Sequence, residues 1–363
     1  MRIGFDAKRV FNNFTGLGNY SRFVIDGLTE FYPDNQYFLY TPKIRQHPEV
    51  QKYLDLDITQ PEKGKIGSLW RTFSIADSIR KDKLDVYHGL SNELPLRKPA
   101  GTGMVVTVHD LIFMRFPEYY GIIDVNIYKW KLKKACESAD VIVAVSRQTA
   151  NDLVEFLHVD EKKLRVVYQG CHPQFYKKAD AEEVLKKYSL PDEYLLFVGT
   201  LEKRKNAGLI LKALSKLKKN IPIVLVGKPT KYIADLEGII KEHNLRDRVK
   251  FIHNAAFADL PAIYQASSLF IYPSVFEGFG IPIVEAIASG VPVITSNGSC
   301  FSEAGGPDCI YVNPSNSGEL ADAITMVLDN EGLRTTMTDA SRNYINRFAP
   351  SVIAGELMKV YSL

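Results

Sequence analysis

Residues 269–286 read L-F-I-Y-P-S-V-F-E-G-F-G-I-P-I-V-E-A. A four-residue apolar run the length of a buried strand leads into a loop that holds Gly278 and Gly280. An apolar stretch follows with Pro282 near its start, where proline is favoured in the first turn of a helix. The segment therefore reads as strand, glycine-rich turn, helix. The same alternation runs outward in both directions. Strands are expected at 3–5, 37–40, 86–88, 105–108, 141–145 and 164–167, and again at 195–198, 223–226, 249–252, 269–272 and 291–295. They are short, rich in Val and Ile, and apolar on both faces, as strands of a helix-covered parallel sheet must be. Between them lie amphipathic stretches. In 207–217, Ile210, Ala213, Leu214 and Leu217 fall on one helical face. The class is α/β with doubly wound sheets.

The alternation breaks once, across Tyr168–Pro173 and the charged stretch from Lys177 to Tyr188. The 363 residues suit about two domains. The division is placed at 1–171 and 172–349, with an apolar helix at 350–363 that could pack on either. Apolar residues make up 46% and charged residues 24%, which excludes disorder and fibrous classes. The net charge is +3, all of it in the first 175 residues, so a nucleic-acid partner is not expected. Cys136, Cys171, Cys300 and Cys309 have neither CxxC nor zinc-finger spacing, so no metal is expected and the thiols read as core residues. The opening M-R-I-G-F-D lacks an apolar leader core, and no run reaches the ~20 apolar residues of a spanning helix. A cytoplasmic location is expected.

Four segments carry chemistry. In the quoted stretch, Gly278 and Gly280 let the backbone approach a ligand, and the helix start offers N–H groups to a diphosphate. Glu277 precedes the helix, while Glu285 lies about one turn inside and can accept two sugar hydroxyls. In V-G-T-L-E-K-R-K-N at 198–206, cations stand at a helix entry, where the dipole disfavours them, so a shared anionic ligand is expected. His109, in V-V-T-V-H-D-L at 105–111, stands at the carboxyl end of a buried strand, where ligands of open α/β sheets bind; a His satisfied by the backbone is the simpler reading. Gly16, Leu17 and Gly18 lie between a first strand and a helix expected near 19–31; alone they read as a tight turn, and Ser21 rules out GxGxxG.

Together these segments resemble retaining glycosyltransferase family 4. The run 277–294 resembles its E-x7-E signature, 198–206 its diphosphate loop, 15–20 its N-terminal glycine loop and 108–111 its central His strand. The resemblance implies a GT-B fold, two Rossmann-like domains facing a central cleft, with an acceptor-side N-terminal domain and a donor-side C-terminal domain. The last helix would cross back to the first domain. The implied enzyme is a metal-independent hexosyltransferase without cofactor that uses a nucleotide-diphosphate sugar. Arg204 and Lys205 would neutralise the leaving diphosphate, and Glu277 would hold the sugar with the backbone of Phe279, Gly280 and Ile281. Glu285 would take the ribose. Gly199 and Thr200 would belong to the donor loop, Gly16–Gly18 would close over the diphosphate, and His109 would lie near the reacting face. Thr200 with Lys203–Asn206 resembles a mannosyltransferase-like subgroup of polysaccharide assembly, which points to a donor of the GDP-mannose type and a glycan or lipid-linked acceptor. Thr200, Asn19 and Ile252–Asn254 depart from common family patterns, so the base is left open.

A sugar-nucleotide epimerase on the same fold, or a non-catalytic nucleotide-sugar or glycan-binding module, are the rival readings. Ala at Arg204 or Lys205 is expected to cut turnover by orders of magnitude with folding unchanged. Lys129-Trp130-Lys131-Leu132-Lys133-Lys134 could place the N-terminal half on an anionic membrane surface; a solvated helix face is the simpler reading, because Glu137 and Asp140 follow.

Overall fold

In the computed structural model, residues 1–62 and 67–362 are described. Leu363, the last position of the expected 350–363 helix, lies outside them. Contacts divide the chain into two compact units: Met1–Gly170 together with the segment from Phe348 onward, and Cys171–Arg347.

The first unit is built on seven parallel strands: β1 (Arg2–Asp6), β2 (Gln36–Tyr40), β3 (Asp57–Thr59), β4 (Val86–Gly89), β5 (Gly103–Val108), β6 (Val141–Ala144) and β7 (Leu164–Val166). Their order is β3-β2-β1-β4-β5-β6-β7. The inner strands are buried along their length, as the Val- and Ile-rich runs require. Helices Gly16–Phe31 and Pro350–Tyr361 lie against each other over one core, in which Ile25 and Leu28 join Ile353, Leu357 and Tyr361. At this contact a Cβ on Gly27 would meet that of Ala354 at 3.7 Å, an ordinary van der Waals distance. Tyr361 also makes a 2.7 Å hydrogen bond between its hydroxyl and Nδ1 of His88 on β4.

The second unit holds β8 (Leu195–Val198), β9 (Ile223–Val226), β10 (Val249–Ile252), β11 (Leu269–Tyr272), β12 (Val293–Ser296) and β13 (Ile310–Val312), ordered β10-β9-β8-β11-β12-β13. Both orders reverse direction once, between β1 and β4 and between β8 and β11. Loops leaving the carboxyl ends of those neighbouring strands diverge to opposite faces and leave a crevice, the usual ligand position in open α/β sheets.

Two strands were not expected from sequence, β3 and β13. Each has three residues and forms a sheet edge, and β3 carries Asp57 and Thr59 rather than an apolar run. The first long helix begins at Gly16 rather than near 19, so Gly16–Gly18 form its first turn, and the 207–217 helix ends at Leu214.

Candidate active site

At the β8/β11 crevice, the loop after β8 winds into a short turn at Lys203–Lys205 before helix Ala207–Leu214. The loop after β11 runs through Pro273–Phe279 to helix Ile281–Ala288. Gly280 stands at that helix's N-cap with φ +111°, a conformation that an L side chain would strain. The backbone joins the two loops, because Val275 N donates to Arg204 O at 2.8 Å. Asn206 donates from Nδ2 to Pro273 O at 3.1 Å and to Pro314 O at 2.8 Å. Gly199 and Thr200 sit on the first loop, Phe279, Gly280 and Ile281 on the second.

The charged groups converge on one carboxylate oxygen. Oε1 of Glu277 accepts from Lys205 Nζ at 2.9 Å, Tyr272 OH at 2.8 Å and Ser274 Oγ at 2.9 Å, and pairs with Arg204 Nη1 at 2.8 Å. Arg204 also pairs with Glu202 at 2.6 Å and donates to Phe276 O. Burial alone would raise the Glu277 carboxyl; Lys205 and Arg204 outweigh it and hold it at about 2. Arg204 and Lys205 are thus balanced by Glu202 and Glu277, and Lys203 is the exposed cation of the loop. Arg204 and Lys205 tie the two loops together through these pairs, so removing either is expected to cost stability. The preassembled donors suit an incoming anion, which meets cations already held in place.

Glu285 is set apart from this cluster. It is buried on helix Ile281–Ala288 and accepts from Tyr264 OH at 2.9 Å. Burial pushes its carboxyl up to about 7. Cys300 caps the Glu277 loop from below, its thiol donating to Phe279 O at 2.9 Å.

In the first unit, Asn13 Oδ1 accepts from Thr15 N at 2.9 Å and from Gly18 N at 3.3 Å. A Cβ on Gly18 would lie 1.7 Å from Asn13 O, so only glycine fits, whereas a Cβ on Gly16 meets nothing within 4 Å. Leu17 occupies the turn between them. His109 is buried with both ring nitrogens occupied: Gln169 Nε2 donates to Nδ1 at 2.8 Å, which leaves Nε2–H to donate to Leu90 O at 2.9 Å. Burial lowers it to about 4, so the ring is neutral and fixed. Tyr20, from the helix that Gly16 begins, stands edge-on to it at 4.7 Å between ring centres. The two unit 1 motifs are therefore neighbours, and Arg204, Lys205 and Glu277 form one cluster in unit 2. Sequence reasoning did not find Tyr272, Ser274, Tyr264 and Gln169. The first two lie within the quoted stretch as polar groups at the end of its strand; the last two carry no local signal. Among the described residues no three His, Cys, Asp or Glu gather as for a metal ion, and no helix is long and apolar enough to cross a membrane.

Residues 180–344 match the family described as Glycosyl transferases group 1, and residues 24–175 match Glycosyltransferase Family 4. O-antigen chain mannosyltransferase B of Escherichia coli is 27% identical over 79% of this chain and 76% of its own length. O-antigen chain mannosyltransferase RfbU of Salmonella typhimurium is 28% identical over 62% of this chain and 61% of its own. Among solved structures, Anabaena HepE in complex with UDP and glucose aligns with a TM-score of 0.78 at 19% identity, covering 100% of this chain and 99% of that one. WaaG, a glycosyltransferase of lipopolysaccharide biosynthesis, aligns at 0.73 and 16%, covering 99% of each. The two Rossmann-like sheets have GT-B neighbours, and both halves of the chain carry the matching domains. The chain belongs to the glycosyltransferases of family 4 and group 1.

Proposed function

We propose that this glycosyltransferase moves a mannose-type hexose, with retention, from a nucleotide-diphosphate sugar to a hydroxyl of a glycan or lipid-linked acceptor, without a metal ion. The observation that carries the reading is the Arg204–Lys205–Glu277 cluster at the β8/β11 crevice. Negative charge grows on the leaving diphosphate as the sugar becomes oxocarbenium-like. Arg204 and Lys205 stabilise that charge, and the diphosphate takes over hydrogen bonds they now give to Glu277. The carboxylate makes its four contacts through Oε1, which leaves Oε2 for a hydroxyl of the donor sugar. Glu285 accepts the ribose, and unit 2 is the donor side. Unit 1 contributes Gly16–Gly18 as a donor-binding turn and the fixed His109 as the group near the reacting face. The mannosyltransferase names of the relatives in O-antigen assembly support the sugar and the acceptor class.

Thermal-shift titration with GDP-mannose, UDP-glucose and their free nucleotides tests the donor, because a ligand at 100 times its Kd adds about 2.7 kcal/mol to stability. GDP-mannose is expected to give the largest shift, and transfer from it is expected to be unchanged by EDTA. Loss of transfer on chelation would remove the metal-free mechanism. Sugar-nucleotide conversion without acceptor would favour the epimerase reading, and donor binding without turnover the binding module.

Unit 1 also supports contact with an anionic bilayer. Helix Ile122–Ser138 buries Leu132, Ala135 and Cys136. Its opposite face carries Ile123, Ile127 and Trp130, exposed by 73%, 45% and 51%, and Ile122 is 82% exposed. Lys129 and Lys133 flank this apolar line, and Tyr119 and Tyr120 precede it. An apolar stripe rimmed by lysines suits the interface of an anionic membrane. The chain has two tryptophans, and Trp70 is buried, so Trp130 reports by itself. Vesicles of phosphatidylcholine with phosphatidylglycerol are expected to shift its emission to the blue, and Ile123→Asp to abolish the shift. No shift, or an Ile123-dependent dimer without vesicle binding, would overturn the contact.

A further inference from the structure

Six charged side chains gather at the β1/β4 crevice of unit 1. Asp6 ends β1, Lys8 and Arg9 follow it, Glu93 follows β4, and Arg71 and Lys131 come from neighbouring helical segments. Arg71 grips Asp6 through Nε at 3.2 Å and through Nη2, and reaches Glu93 Oε2 at 2.9 Å. Lys131 Nζ meets the other Glu93 oxygen at 3.2 Å. Burial would raise the Glu93 carboxyl, but Arg71 and Lys131 outweigh it. Two carboxylates are thus matched by two cations.

Lys8 and Arg9 are left over. Among the described residues Lys8 Nζ has no hydrogen-bond acceptor, and the Arg9 guanidinium makes only a 3.4 Å contact from Nε to Ser91 Oγ. Burial, and then Arg71, depress the Lys8 ammonium. Arg9 lies close enough to His109 to add to that ring's lowered basicity. A half-buried ammonium beside a guanidinium lowers stability. Glu93 and Asp6 offset this only in part, and four cations against two carboxylates leave the cluster with an excess of positive charge. Such groups cluster where a ligand supplies the missing partner. The place is the crevice where the fold presents ligands, on the same sheet edge as His109. A single carboxylate would leave one charge unmatched, whereas a phosphoryl dianion matches both, with the ammonium as a point charge and the guanidinium as a fork.

We infer that Lys8 and Arg9 form an anion subsite in unit 1 that takes a phosphoryl group of the acceptor. The inference rests on the transferase reading for the word acceptor, but not for the site itself. The phosphoryl group can belong to a soluble sugar phosphate or to a lipid headgroup. Arg71, fixed between Asp6 and Glu93, forms the rigid wall of the subsite.

Calorimetric titration of the full chain tests it, with mannose 1-phosphate as the soluble probe and a short polyprenyl phosphate in detergent as the lipid probe. At least one probe is expected to bind, with affinity unchanged in Arg204→Ala and weakened tenfold or more in Lys8→Gln and in Arg9→Gln. Binding of the soluble probe alone assigns a free phosphate, and of the lipid probe alone a headgroup; either supports the subsite. Lys8→Met gives an independent readout. It removes an ammonium that burial and Arg71 disfavour more than Glu93 and Asp6 support it, so its Tm is expected to rise while phosphate binding falls. Binding of neither probe, loss of binding in Arg204→Ala with Lys8→Gln unaffected, or a lower Tm in Lys8→Met would each overturn the inference. Phosphate binding through Lys8 in a chain that transfers no sugar would leave the subsite standing and remove the transferase reading alone.

Discussion

Replacing Arg204 by Ala is expected to lower kcat by about 10²–10³-fold, the effect of removing one preorganised donor from a site of developing negative charge. Lys205→Ala should fall in the same range. Both substitutions also disturb Glu277. Without Arg204, the buried carboxylate keeps Lys205 as its one cation, and Phe276 O loses a donor. Breaking a buried pair by removing one partner costs about 3–5 kcal/mol; with Tyr272 and Ser274 still donating to the carboxylate, the low end is expected. A lower rate alone would therefore not separate chemistry from folding. The double variant Arg204→Ala/Glu202→Gln does, since Glu202 is the carboxylate left without a cation while Glu277 keeps Lys205. It should recover part of the Tm and none of the lost kcat. Wild-type kcat in both single variants, or recovery of rate together with stability in the double variant, would show that the cluster is architecture and not a diphosphate site.

Acidification is expected to move the two units in opposite directions. His88 and His109 are buried, and burial lowers them to about 3 and about 4. They are neutral in the folded chain at pH 5, while in the unfolded chain a His with its ordinary value of about 6.5 is charged. The unfolded state binds the extra protons, so stability falls as pH drops below 6.5. At about 1.4 kcal/mol per pH unit, each His removes about 2 kcal/mol from unit 1 at pH 5. Glu285 has the opposite sign. Its carboxyl, raised to about 7, takes up its proton in the folded state first, so unit 2 loses stability as pH rises from 4.5 to 7. Going from pH 7.5 to pH 5 should restore about 2–3 kcal/mol there. Glu277, held at about 2, stays ionised over this range. Hydrogen exchange at pH 5 and pH 7.5, corrected for intrinsic rates, reads each unit separately. Protection of β4 and β5 should fall at pH 5 and that of β11 and β12 should rise. A parallel change in both would mean that these groups do not control the response.

The parallel sheets were legible because central strands such as β8 and β11 must be apolar on both faces, which leaves a pattern in the chain itself. The edges β3 and β13 have one neighbour each and need no such pattern. The site was legible in outline, since glycines and cations at strand-to-helix turns are local signals. Its balance was not. Glu277 meets Arg204 and Lys205 across more than 70 positions of sequence, so a loop that reads as a cationic patch is neutralised in the folded chain. His109 and Gln169 are likewise 60 positions apart, and only their pairing shows that the ring is fixed. Lys8 and Arg9 attract no notice in sequence, because their meaning lies in the carboxylates that Arg71 and Lys131 have already taken.

The helix Pro350–Tyr361 belongs to the core of unit 1 although the whole of unit 2 is translated before it. Unit 1 therefore emerges first from the ribosome and can be completed only after unit 2 has been made. Until then the face of helix Gly16–Phe31 that receives Ile353 and Leu357 lies open, and His88 lacks its Tyr361 partner. Unit 2, continuous from Cys171 to Arg347, has all of its own residues earlier. The order of synthesis thus makes unit 2 a finished body while unit 1 still waits for its closing helix.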